Sequence, residues 1–205
     1  MDYKQGVLRL YDYLSSGNGY KVRLLLHQLG IPYERIGLDI DRGETRTPAF
    51  LAKNPNGRIP TLETERGEFL AESNAILFYL AEGTPFLPSD RWERAQVLQW
   101  MCFEQYSHEP NIATVRYWLT HHKPYLPQVL EQKRQLGVAA LGVMEQHLAT
   151  RTFFVGERYT IADVALYAYT HVAGEGGFAL APHPAVGRWL ARVAAQPKHI
   201  PITQG

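Results

Sequence analysis

Three short stretches hold the residue types that could do chemistry. Asn54-Pro55-Asn56-Gly57-Arg58-Ile59-Pro60 runs into the strand-like Thr61-Leu62-Glu63-Thr64. Two prolines and a glycine this close bar a helix, and Pro60, with no N–H to give a sheet, calls for a turn or an edge. X-Pro bonds are the common place for a cis peptide, and a turn of that kind at Ile59-Pro60 would leave the main chain of Ile59 able to pair with a ligand's main chain. Further on, Glu72-Ser73 precedes the apolar run Ala75-Ile76-Leu77-Phe78-Tyr79-Leu80. A carboxylate and a hydroxyl at a helix start can cap the helix, or can hold an ammonium and a carboxylate. The third stretch, Leu14-Ser15-Ser16-Gly17-Asn18-Gly19, is a turn cluster that opens a helix.

The elements that must position these groups follow from period and punctuation. An alternating, strand-forming segment over 7–13 is followed by a helix over 20–29, stopped by Gly30. A second strand spans 31–38, a polar stretch with a short helical piece spans 39–50, and a hairpin turns at Glu65-Arg66-Gly67. A third helix over 73–82 ends at Gly83, completing the order β-α-β-α-β-β-α. The proline-rich 84–90 reads as a linker between domains over 1–83 and 91–205.

Beyond the linker the pattern is helical. Pro110 marks a kink or break in the first long segment, and Pro124 and Pro127 open a helix over 128–149. Thr160 and Asp163 have capping-box spacing, with Tyr159 and Val164 placed as a hydrophobic staple. A last helix covers 184–195, and the tail over 197–205 is expected to be loosely attached at best.

Composition narrows the function classes. Apolar residues are 45% and charged residues 20%, and 21 Lys plus Arg balance 20 Asp plus Glu, so nothing favours a nucleic-acid partner held through phosphates. No apolar run is long enough to span a bilayer, and the N-terminus lacks the apolar region of a signal peptide. The single cysteine, Cys102, excludes an intramolecular disulfide or a cysteine metal cluster and suits a reducing, cytoplasmic setting. The eight histidines show no metal-like spacing. Cys102 itself is read as a buried packing residue.

Taken together, the Asn-Pro-x-x-x-Ile-Pro and Glu-Ser motifs, the β-α-β-α-β-β-α order, the linker and the Thr-Ile-Ala-Asp box resemble the cytosolic glutathione transferases. The resemblance covers nearly the whole chain and is nearest to bacterial serine-type (theta-, nu- or zeta-like) members. It implies a thioredoxin-like α/β N-terminal domain plus an all-α C-terminal domain, glutathione as co-substrate, no metal, and a homodimer. Carried over position by position, the catalytic hydroxyl falls on Ser16, with Ser15 one residue off, and Asn18 stands where some bacterial disulfide-reducing relatives use asparagine. A donor at this helix start would favour the glutathione thiolate, whose unperturbed thiol pKa is about 8.5.

The resemblance further implies a cis Pro60, main-chain pairing of Ile59 with the cysteinyl unit, and Glu72 and Ser73 on the γ-glutamyl group. Arg58 would reach the glycyl carboxylate. Thr45 stands where many serine-type relatives have a basic residue, and a zeta-like isomerase would have cysteine where this chain has Asn18. An electrophile pocket in the α half would use Tyr106 and Arg116, each with a polar end. The implied activity is thiolate transfer to an electrophile, as in detoxification. The alternatives are glutathione-dependent disulfide reduction and a binding module without turnover.

Overall fold

A computed structural model describes residues 7–205 of the chain. They divide into two compact units, one formed by the chain up to Glu82 together with Pro197–Gly205, the other by Gly83–Gln196.

The first unit is a four-stranded sheet, among the described residues, with helices along the chain between its strands. Strand β1 (Leu8–Asp12) leads through helix α1 (Gly17–Leu29) to β2 (Tyr33–Gly37); a short helix α2 (Pro48–Leu51) precedes the hairpin β3 (Thr61–Glu63) and β4 (Phe69–Ala71), and α3 (Ser73–Ala81) follows. The strand order is β2-β1-β3-β4, with β1 parallel to β2 and antiparallel to β3. Leu10 sits opposite Arg35 on one side and Leu62 on the other. That central place in the sheet buries Leu10 and Leu62 fully, together with Leu24, Leu25 and Leu26 of α1 and Ile76 and Leu77 of α3. Helix α1 stops at Gly30, which takes a left-handed φ of 70° and donates to the His27 and Leu26 carbonyls.

Two expectations are corrected in this unit. Helix α1 begins at Gly17 rather than at residue 20, because Ser16 already caps it: the Gly19 N–H donates to Ser16 Oγ at 3.4 Å and the Tyr20 N–H to the Ser16 carbonyl at 2.9 Å. The two glycines therefore lie in the first helical turn. The tail is not loose. Tyr20 Oη donates to the Ile200 carbonyl at 2.7 Å, Arg23 donates to the Ile202 and Gln204 carbonyls, and Ile200 is buried.

The second unit is helical: α4 (Arg91–Phe103), α5 (Glu109–Thr120), α6 (Pro127–Leu148), α7 (Ile161–Thr170) and α8 (Pro184–Ala194). Asp90 caps α4 by accepting from the Glu93 N–H at 2.9 Å. Pro110 is the second residue of α5 and lies inside a helical run unbroken from Arg91 to Thr120; the irregularity lies just ahead of it, as a π turn over Glu104–His108. The capping box is formed: Thr160 N–H donates to Asp163 Oδ2 at 2.9 Å, and the Thr160 hydroxyl accepts from the helix. Asp163 also accepts from Trp189 Nε1 at 2.9 Å and from the Phe154 N–H at 3.2 Å, tying α7 to α8 and to the loop before it. Cys102, read as a packing residue, is exposed; on α4 it is Val97, Trp100 and Met101 that turn inward.

Candidate functional site

Ser16, Asn18, Ile59, Pro60, Glu72 and Ser73 all belong to the first unit. Ser16 is the N-cap of α1, with extended backbone at φ −73° and ψ 124°. Its oxygen accepts from the helix, which leaves its hydroxyl hydrogen to be donated. Asn18 is the second residue of that helix. Its side-chain oxygen accepts from the Ser73 hydroxyl at 3.4 Å, joining the first turn of α1 to the first residue of α3. Each helix start carries the positive end of its peptide dipoles and unpaired N–H groups, a setting that favours negative charge. The start of α1 faces that of α3 across this hydrogen bond.

Lys21 joins the same contact, and the sequence reading did not single it out. It is fully buried, and its ammonium donates to Ser73 Oγ at 3.3 Å. A cation buried one helical turn from Asn18 strengthens the positive character of the place where α1 and α3 start.

Glu72 does not cap α3 through its side chain, so the capping reading fails for this residue. Its backbone stands at φ 68° and ψ 112°, a conformation that costs a non-glycine residue about 1–3 kcal/mol. Such outliers persist where the surroundings impose them, and they cluster at ligand clamps.

The Ile59-Pro60 peptide is cis. Its loop is bracketed by a buried residue whose role sequence reasoning missed. Asn54 Nδ2 donates to the Arg58 carbonyl at 2.8 Å and to Thr61 Oγ1 at 3.1 Å, while its Oδ1 accepts from the Asn56 N–H at 3.0 Å. The Arg58 side chain is exposed. Thr45 is buried, and the basic residue beside it, Arg46, donates to the Asn56 carbonyl at 3.0 Å.

Beneath the start of α1 lies a buried ion pair, Arg23 Nε to Asp12 Oδ2 at 2.8 Å. Burial pushes the Asp12 carboxyl up to about 6, against the opposing pull of Arg23 and Arg35. The same burial lowers Arg23.

The two residues expected in an electrophile pocket lie in the second unit and differ in setting. Tyr106, on the π turn, is 88% exposed. Arg116, on α5, is buried and paired with Glu175, Nε to Oε2 at 2.7 Å. Among the described residues there is no group of three or more His, Cys, Asp or Glu placed to hold a metal ion, and no helix is long and apolar enough to cross a membrane.

The family of glutathione S-transferase N-terminal domains matches residues 6–82, and that of the C-terminal domains matches residues 101–197. A crystal structure of a glutathione S-transferase from Pseudomonas fluorescens superposes with a TM-score of 0.92 at 50% identity, covering 97% of this chain and 100% of the other. The chain belongs to the glutathione S-transferase family. Its fold is the one that family shares, a thioredoxin-like α/β domain with a helical domain after it.

Other relatives of the chain differ in what they are named for. The chain is 31% identical over 188 residues to the disulfide-bond oxidoreductase YfcG of Escherichia coli, covering 88% of this chain and 87% of that protein. It is 27% identical over 238 residues to the transcriptional regulator URE2 of Saccharomyces cerevisiae, covering 96% of this chain and 67% of the regulator. A structure of Ure2p in complex with glutathione matches at 28% identity with a TM-score of 0.87, covering 95% of this chain and 96% of the other.

Proposed function

We propose that the protein is a glutathione transferase that binds glutathione in its first unit and directs the thiolate at an electrophilic small molecule. The observation that carries this reading is Ser16 at the start of α1: the helix occupies its oxygen as acceptor, and its hydroxyl is left to donate to sulfur. Donation to the thiolate, at the positive end of a helix, lowers the thiol pKa and raises the nucleophile's population near neutral pH. The thiolate then forms a carbon–sulfur bond to the electrophile, and the leaving group departs with the electron pair.

In this reading Ile59 pairs through its main chain with the cysteinyl unit beside Pro60. Glu72 takes the γ-glutamyl ammonium, Ser73 the γ-glutamyl carboxylate, and Arg58 the glycyl carboxylate. Tyr106 and Arg116 remain the residues proposed for the electrophile. The proposed setting is cytoplasmic and the proposed assembly a homodimer.

Asn18 favours a second reading, glutathione-dependent disulfide reduction. Its amide is held at the helix start by Ser73, and the similar oxidoreductase YfcG gives the reading support. There the glutathione thiolate attacks a disulfide sulfur and expels a thiolate; a second glutathione resolves the mixed disulfide and leaves as glutathione disulfide. Calorimetric titration with reduced glutathione and with glutathione disulfide, followed by turnover of chlorodinitrobenzene and of hydroxyethyl disulfide, separates the readings. Binding of the reduced form with aryl transfer supports the transferase. Disulfide turnover impaired by Asn18→Ala supports the reductase. Binding without either turnover overturns both and leaves a module that holds glutathione without chemistry.

A further inference from the structure

The most heavily bonded buried side chain near Ser16 touches no part of the proposed glutathione site. Arg23 lies on α1, two turns beyond Ser16, and is fully buried. Its guanidinium pairs with Asp12 at the end of β1 at 2.8 Å. Nη2 donates to the Leu14 carbonyl at 2.6 Å, two residues ahead of Ser16. Nη1 donates to the Ile202 carbonyl at 3.0 Å and also to that of Gln204. One planar fork thus fastens the strand that precedes the Ser16 loop, the loop itself, and the last stretch of the chain.

The neighbouring contacts act on the same few residues. Tyr20, within the first turn and a half of α1, donates to the Ile200 carbonyl at 2.7 Å. The Ser16 N–H donates to the Tyr13 carbonyl at 2.8 Å. Ser16 is therefore held between a loop whose carbonyl Arg23 grips and a helix whose first turns are tied to the tail. A lysine at 23 could neutralise Asp12 but could not reach three carbonyls at fixed angles.

We infer that Arg23 is a positioning residue for Ser16, and that the segment over 197–205 is the clamp that holds Arg23 in place. The inference rests on the proposed role of Ser16 at the sulfur. The clamp sets where the hydroxyl points without touching glutathione, so loosening it affects the reacting geometry more than ground-state binding. A displacement on the ångström scale at a reacting group can cost about a hundredfold in rate. A loop freed at one end should cost about tenfold.

Two variants of the full protein test this: a chain ended after Lys198, which removes all three tail carbonyls, and Arg23→Lys. Each is compared with the parent and with Ser16→Ala by amide hydrogen exchange and by turnover and KM for glutathione. The expected result is about tenfold faster exchange at the Ser16, Gly19 and Tyr20 amides, with β3 unchanged. Turnover falls about tenfold and KM stays within about twofold. Unaltered exchange at those amides in both variants overturns the inference, even where the melting temperature falls. Faster exchange with turnover intact in the shortened chain, while Ser16→Ala is impaired, overturns it as well. If Ser16→Ala is itself unimpaired, the role of Ser16 fails, and the exchange data alone decide whether the clamp exists.

Discussion

The carboxylate of Asp12 fills the space that a side chain at position 19 would need: a Cβ built on Gly19 would lie 1.6 Å from Asp12 Oδ1 and 2.6 Å from its Cγ. Alanine normally favours a helix over glycine by about 1 kcal/mol. Here that sign reverses, because Asp12 is held by Arg23 at 2.8 Å and is fully buried. Gly19→Ala should lose about 1–3 kcal/mol of stability, as overpacking does. Urea unfolding of the two proteins checks this, and a variant as stable as the parent would refute it.

Ser16 caps α1, and under the proposed function it also serves the sulfur, so one substitution would remove both. Loss of the N-cap costs about 0.5–2 kcal/mol of stability, while loss of the proposed donor to sulfur should lower turnover. Asparagine caps about as well as serine, so Ser16→Asn should keep the melting temperature near the parent's. Ser16→Ala and Ser16→Asn should both lower turnover much more than glutathione affinity. Full turnover in either variant would remove Ser16 from the chemistry.

Backbone strain at Glu72 predicts a split between stability and binding. With φ at 68°, glycine escapes the Cβ contact that the native residue endures. Glu72→Gly should be no less stable than the parent, yet bind glutathione at least tenfold more weakly. A variant that melts lower and binds normally would mean that the strain serves packing alone.

The Ser73 hydroxyl accepts from Lys21 and donates to Asn18. Ser73→Ala leaves a buried ammonium with one acceptor fewer, which costs about 1–3 kcal/mol. Its melting temperature and its glutathione affinity should therefore fall together. Calorimetry showing unchanged affinity would take Ser73 out of the binding site while leaving its role in packing.

The helical unit has a pH signature of its own. Burial pushes the Asp163 carboxyl up to about 6 from 3.8, outweighing the hydrogen bonds from Thr160, Trp189 and Phe154 that favour its charge. Between ~pH 4 and ~pH 6 the folded state thus holds a proton that the unfolded state has released. The stability owed to this group is complete below that window and is lost as pH rises through it, by about 3 kcal/mol at most. The difference in unfolding free energy between the parent and Asp163→Asn should accordingly shrink as pH rises from ~4 to ~6 and then level off. A difference that is flat across the window would contradict the shift.

How far the sequence could be read depended on whether the signal was local. The Thr160–Asp163 box and the Asn54-to-Pro60 turn are short-range devices, and the structure forms both. The start of α1 was set too late because two glycines read as a turn, when Gly19 is there to make room for Asp12. Lys21 and Arg23 gave no sign of their burial: a cation in a helix reads as solvated until the tertiary partners, Ser73 for one and Asp12 for the other, are known. The segment over 197–205 was expected to be loosely attached at best, as segments beyond a domain's last helix often are. What holds it are its own carbonyls, which every sequence possesses.

That return of the chain sets an order in time during synthesis. The first unit lacks its closing segment until residues 83–196 have been made, although its sheet and α1 leave the ribosome long before. At about 5–20 residues per second, that interval is on the order of ten seconds. Throughout it, Arg23 lacks the Ile202 and Gln204 carbonyls that it donates to in the folded protein. A nascent chain stalled ahead of Pro197 should therefore present the sheet formed and the Ser16 loop unfastened, so the two parts of the first unit are joined only after the whole helical unit has been made.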